Sequence, residues 1–159
     1  MSILKVDTIN EKTSGNGVDI PGHVIQVQHK EIKDTTRTGS TTSTSFIATG
    51  EYVDIAPKKA NSLIKVDLSI GMQYSSNTGS GILTNIYNGS SFLGTGSYPT
   101  YVRDLGSALY LPLSMTFTDT PNTTSTVRYE VYVKSTGGHT VFAIHEACYF
   151  SLIVTEIAQ

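Results

Sequence analysis

Leu63-Ile64-Lys65-Val66-Asp67-Leu68-Ser69-Ile70-Gly71-Met72 is the stretch that decides the fold class. Ile64, Val66, Leu68, Ile70 and Met72 fall on one side of an extended chain. Lys65, Asp67, Ser69 and Gly71 fall on the other. Successive side chains of a strand point to opposite faces, so this period of two describes a strand with one buried face and one wet face. Val127 to Lys134 repeats it. Val127, Tyr129, Val131 and Val133 point one way, and Arg128, Glu130, Tyr132 and Lys134 the other. A slip of one residue would turn four charged or polar groups inward, so register is strongly fixed.

Working outward, further strands are expected at His23 to Ile32, Phe46 to Ala48, Tyr52 to Ile55, Ile82 to Tyr87, Ala108 to Phe117, Thr140 to His145 and Tyr149 to Glu156. Turn-forming residues separate them: Asn77-Thr78-Gly79-Ser80-Gly81, Asn88-Gly89, Gly94-Thr95-Gly96, Pro121-Asn122 and Gly137-Gly138. Asn88-Gly89, with Ile86-Tyr87 before it and Phe92-Leu93 after, signals a tight hairpin. The polar stretch from Asp34 to Ser45 reads as a flexible loop or a hydroxyl-rich edge. Strands at roughly 8–12-residue spacing suggest a sandwich or barrel. The expectation is an all-β fold: a jelly-roll-like antiparallel β-sandwich with a short N-terminal β-arm.

That arm, residues 1–22, differs from the rest. Ile3, Lys5, Asp7 and Ile9 alternate with Leu4, Val6 and Thr8. Thr13-Ser14-Gly15-Asn16-Gly17 then turns the chain into Val18-Asp19-Ile20, and Pro21-Gly22 closes the segment. Two short strands bury too little surface to stand alone. Ile3, Leu4, Val6, Ile9, Val18 and Ile20 are therefore expected to carry oligomerisation and attachment, with residues 23–159 as the head domain.

Composition narrows the function. The 159 residues are 38% hydrophobic and only 15% charged, and the low charge is the clearer departure from globular averages. Ser and Thr fill the gap at roughly a quarter of the chain. Thr suits strands, so hydroxyl-covered outer faces are expected. A net charge of −2 with scattered Lys and Arg argues against nucleic acid. The start of the chain lacks the charged and apolar regions of a signal peptide, and no apolar run reaches membrane-spanning length. Production in a cytoplasm, without membrane insertion, is the expectation.

Catalytic chemistry finds little support. His23, His29, His139 and His145 form no pair at metal-ligand spacing, and His23 and His29 lie about 20 Å apart on a straight strand. His145 and Glu146 would face opposite ways. A three-fold axis alone could gather copies of one histidine. Cys148, the only cysteine, sits in an apolar stretch and reads as a small buried hydrophobe. No Gly-x-Ser-x-Gly elbow and no phosphate loop is present. No cofactor or metal is expected. The mild functional hint is nine tyrosines without a tryptophan. Tyr87, Tyr98, Tyr101 and Tyr110 lie in or near the looped middle of the chain, beside Arg103 and Asp104. Tyr98, Tyr101 and Arg103 are the candidate recognition residues, since Tyr and Arg join rigid area to a polar tip. The alternative is that these rings fill interfaces.

Leu4-Lys5-Val6-Asp7-Thr8-Ile9-Asn10-Glu11 and Asn16-Gly17-Val18-Asp19-Ile20-Pro21-Gly22 resemble a short element of tail-fibre and virion structural proteins of marine and cyanobacterial bacteriophages. Thr42-Ser43-Thr44-Ser45-Phe46, Ser62-Leu63-Ile64-Lys65-Val66, Asp119-Thr120-Pro121-Asn122-Thr123-Thr124 and Val154-Thr155-Glu156-Ile157-Ala158 are similar to the C-terminal β-sandwich of such proteins. The resemblance implies a non-catalytic component of the virion, usually a homotrimer. Its partners would be copies of itself and other virion proteins, of the tail or the major capsid protein. Two roles follow: a small tail-fibre or tip protein in host adsorption, or a capsid decoration (cement) protein. Fibre subunits are often longer than this chain, which leaves room for the second. The sandwich and tyrosines also fit a lectin-like module for a host surface glycan, which leaves the arm without a role.

Overall fold

The computed structural model describes residues 20–33, 38–75, 81–94, 101–103, 109–145 and 148–159. Among them every regular element is a strand: β1 (Val24–Ile32), β2 (Thr38–Thr41), β3 (Ile47–Ile55), β4 (Leu63–Ser75), β5 (Gly81–Tyr87), β6 (Tyr101–Arg103), β7 (Leu109–Asp119), β8 (Val127–Ser135), β9 (Val141–Ile144) and β10 (Phe150–Ile157). With the short β2 and β9 set aside, two four-stranded sheets remain, β1-β10-β4-β7 and β3-β8-β5-β6. All their pairings are antiparallel. This is the order of two nested Greek keys, a jelly roll. β4 is the spine of the larger sheet. It pairs with β7 along one side, and with β10 and then β9 along the other.

The period of two does what the sequence requires. Ile64, Val66, Leu68 and Ile70 of β4 are fully buried and face Val127, Tyr129, Val131 and Val133 of β8 across the sandwich. Phe150, Leu152 and Val154 of β10 and Val53 and Ile55 of β3 complete the layer. Each such side chain contributes about 1.5–3 kcal/mol on burial. A bulge between Ile70 and Gln73 interrupts the β4–β7 register. Gln73 is buried beyond it and donates from Nε2 to the Thr84 hydroxyl of β5 at 2.6 Å, a polar peg between the sheets.

Three expectations change. Phe46 to Ala48 and Tyr52 to Ile55 are not separate strands: β3 runs from Ile47 to Ile55 through a bulge. Gly50, at φ 81°, supplies the left-handed residue the bulge needs. Within Asp34 to Ser45 the hydroxyl-rich edge prevails, because Thr38–Thr41 pairs with β9. Gly39 makes that edge possible, since a Cβ there would lie 2.8 Å from Ala143 and from Thr49. Finally, Asn88-Gly89 turns the chain, but the return is one bridge, Tyr87 to Phe92, instead of a second strand. The Asn88 Oδ1 accepts the backbone N–H of Ser90 and Ser91, which widens the turn.

The strands give the sandwich two poles. At one, Pro21-Gly22 turns the chain into β1, with His23 N–H donating to Ile20 at 2.9 Å. Here Ala158, just past β10, accepts from Gly22 N–H at 2.8 Å and donates its own N–H to His23 O at 2.9 Å, closing the start of β1 onto the end of β10. Ile55, Leu63, Asp119 and Val127 are at this pole too. The opposite pole holds the start of β5 and the end of β8. Among the described residues no helix is long and apolar enough to cross a membrane.

Candidate recognition surface

The outer faces of the two sheets carry different chemistry. On the larger sheet Ser69, Ser114, Thr116 and Thr118 are exposed, giving the expected hydroxyl cover. Asp67 is fixed among them by Lys65 Nζ at 2.9 Å and by the Thr116 hydroxyl, which donates to it at 2.6 Å. Partial burial works to raise the Asp67 pKa, but these two donors outweigh it and hold the carboxyl below its ordinary value.

On the smaller sheet the outer face is aromatic and cationic. The alternation that buries Tyr129 and Val131 turns Tyr132 and Lys134 outward. Tyr132 packs on Tyr87 of β5 at 5.3 Å between ring centroids and on Phe92 at 5.5 Å. Phe92 also meets Tyr87 at 5.2 Å and Phe46 at 4.8 Å. All four rings are half-buried, and their tilted and edge-on contacts suit the ring quadrupoles. Burial, then the nearby Glu130 and Tyr87, raise the Tyr132 pKa. Lys134 Nζ stands 4.8 Å from the centre of Phe46. Toward the other end, Arg128 lies 3.6 Å over the Tyr52 ring. Its Nε and Nη2 donate to the two Asp54 oxygens at 2.9 and 3.0 Å. That hydrogen-bonded pair raises the Arg128 pKa above its ordinary value. The result is a stiff surface of rings and fixed charges.

Of the residues singled out from sequence, Ile20 is 45% exposed, and Val24 and Val27 beside it are 46% and 49% exposed. Ile3, Leu4, Val6, Ile9 and Val18 lie outside the described residues, as does Tyr98. Tyr101 and Arg103 do not belong to a loop. They open and close β6, an edge strand pairing Leu83 with Tyr101 and Gly81 with Arg103. Tyr110 is 47% exposed and stacks edge-on to the buried His145 at 5.0 Å. Cys148 is buried, and burial raises its pKa, which suits a packing role. Among the described residues no three His, Cys, Asp or Glu side chains are grouped to hold a metal ion. The aromatic face was missed as a unit. Its signal was the Tyr132–Lys134 pair on the wet side of β8, but Phe46 and Phe92 come from irregular segments with no periodicity to place them.

No protein-family model matches the sequence, and no curated protein matches it. Solved structures do. A mutant VP2 protein of infectious bursal disease virus, in derived T=1 particles, superposes with a TM-score of 0.52 at 10% identity, over 98% of this chain and 36% of that one. The Gx strain of the same virus gives 0.47 at 11% identity over 98% and 38%. A VP2 subviral particle gives 0.48 at 11% over 98% and 37%. The chain spans little more than a third of the length of these proteins. At such identity the likeness of the first is one of fold, and the fold is the same kind of antiparallel β-sandwich.

Proposed function

We propose that this chain is a non-enzymatic structural protein of a virus particle, exposed on its surface as a homotrimer, and that it serves as a small tail-fibre or tip protein in host adsorption. The observation that carries this reading is the polarity of the sandwich. Ile20, Val24 and Val27 present apolar surface at the pole where residues 1–19 join. β6, with Tyr101 and Arg103, reaches the opposite pole through the pairing of Arg103 with Gly81. Attachment at one end and contact at the other is what an adsorption protein needs. The VP2 protein with the same fold is a particle protein, which supports the virion reading.

In this scheme the head comprises residues 23–159, and the arm of residues 1–22 docks to sister copies and to the particle. Three copies around an axis cover apolar side chains and strand edges that one copy leaves open. Three arms together give firm attachment from modest single contacts. Deleting residues 2–19 retains the Ile20–His23 turn. The truncated protein is expected to keep its β circular dichroism spectrum but to sediment as a monomer and fail to bind particles. A truncated form that still assembles on particles refutes the role of the arm. The hydroxyl-covered sheet favours a second reading, decoration of the capsid shell. Electron micrographs of labelled particles separate the two: label at the tail supports adsorption, and label over the head supports decoration.

A further inference from the structure

Below Arg128 the aromatic face ends in a cleft of about 430 Å³, at the same pole as Ile20. Asn88, Gly89 and Ser90 form one wall, Pro121, Thr123 and Thr126 the other, and Val127 and Arg128 lie between. The size falls within the ordinary range of small-molecule sites, about 300–1,000 Å³. We infer that this cleft binds a neutral hexopyranose unit of a saccharide. The inference goes beyond the role proposed above, because the cleft lies at the Ile20 pole and is distinct from the β6 pole.

The chemistry of the lining selects that ligand. Both walls are locked. Asn88 Nδ2 donates to Asp119 at 2.9 Å while its Oδ1 accepts Ser90 and Ser91 N–H. Asn122, at φ 53°, donates from Nδ2 to Thr120 O at 3.0 Å. A preformed site loses less entropy on binding. The hydroxyls on the walls have complementary capacity left. Ser90 Oγ donates to Asn88 and keeps its acceptor sites. Thr123 Oγ1 accepts from Ser125 N–H and keeps its hydrogen. A sugar hydroxyl is both donor and acceptor, so it satisfies both kinds. Pro121, half-buried on one wall, offers apolar surface for the C–H face of a ring. Charge decides between neutral and acidic sugars. The one lining cation, Arg128, is already neutralised by two bonds to Asp54, so a carboxylate gains little here.

The test is titration of the full-length protein, observed by amide NMR, with the methyl glycosides of glucose, galactose and mannose and with sodium glucuronate. Saturable shifts confined to residues 88–91 and 121–128 are expected with at least one neutral glycoside. Thr126→Trp, on an exposed position, should fill the cleft and weaken binding by about tenfold or more. Thr118→Trp, on the opposite sheet, should leave it unchanged. No saturable shift at tens of millimolar glycoside overturns the inference. So does undiminished binding by folded Thr126→Trp, or tighter binding of glucuronate than of any neutral sugar. Particle association is read separately with the arm deletion, so either result can fail alone.

Discussion

Glu156 has no exposed surface, yet it is a carboxylate on the strand beside the spine of the sheet. It is held by four donors. Oε1 accepts Lys58 N–H at 2.8 Å, Lys59 N–H at 3.2 Å and the Ser62 hydroxyl at 2.7 Å, while Oε2 accepts Gln26 Nε2 at 2.7 Å. One side chain thereby ties β10, β1 and the connection after β3 together. Glu156→Ala leaves several donors without a partner and is expected to cost about 3 kcal/mol. Glu156→Gln keeps one acceptor oxygen but turns an NH2 toward donors, and should cost less than Glu156→Ala. Urea denaturation midpoints of both variants check the order. Tyr129 makes a second prediction. Its fully buried hydroxyl donates to Asp119 at 2.8 Å. Burial first, and this bond second, raise its pKa well above the ordinary 10.0. Above pH 10 the unfolded chain therefore releases the tyrosine proton while the folded one keeps it. Stability from this group is complete below pH 10 and falls as pH rises beyond it. Tyr129→Phe should lower stability at pH 7 by about 1–2 kcal/mol and flatten the alkaline decline relative to wild type.

Edge strands are where a sandwich meets its neighbours, and β1 is an edge of the larger sheet. Val27, on its outer side, is 49% exposed and packs little within the monomer. Val27→Lys should therefore change folding stability by less than about 0.5 kcal/mol. If β1 lies in the interface of the proposed trimer, the same change should weaken association by about tenfold or more in sedimentation equilibrium. Unchanged association would remove β1 from that interface. The elements also show how far the sequence could be read. β4 and β8 were legible because one face of each is buried and the other is wet. β1, β5, β7, β9 and β10 were found within a few residues at each end. β3 looked like two strands because Gly50 breaks its alternation, and β6 is too short to show a period. For the surface, period two placed Tyr132, Lys134 and Arg128 outward. It could not place Phe92, which reaches Tyr132 only through the turn around Gly89, or Phe46, which packs on Phe92 from just ahead of β3.

At the scale of the whole molecule, the two sheets separate a hydroxyl face from an aromatic one, and the strand directions separate the pole at Ile20 from a far pole. The jelly roll makes this division cheap. Its connections fall at the two ends, so they vary without disturbing the core. The described chain ends are also adjacent, with Val24 paired to Ile157 and Gly22 bonded to Ala158. That adjacency has a mechanical meaning. A tether at Ile20 pulled against the far pole draws β1 along its own axis, so the whole β1–β10 ladder is loaded in shear and its bonds resist together. A tether at Ile20 pulled against Gln159 opens the same ladder from its corner, one rung after another. In the role proposed here, held at the Ile20 end and pulled from the far pole, the sandwich is loaded in the stronger of these two directions.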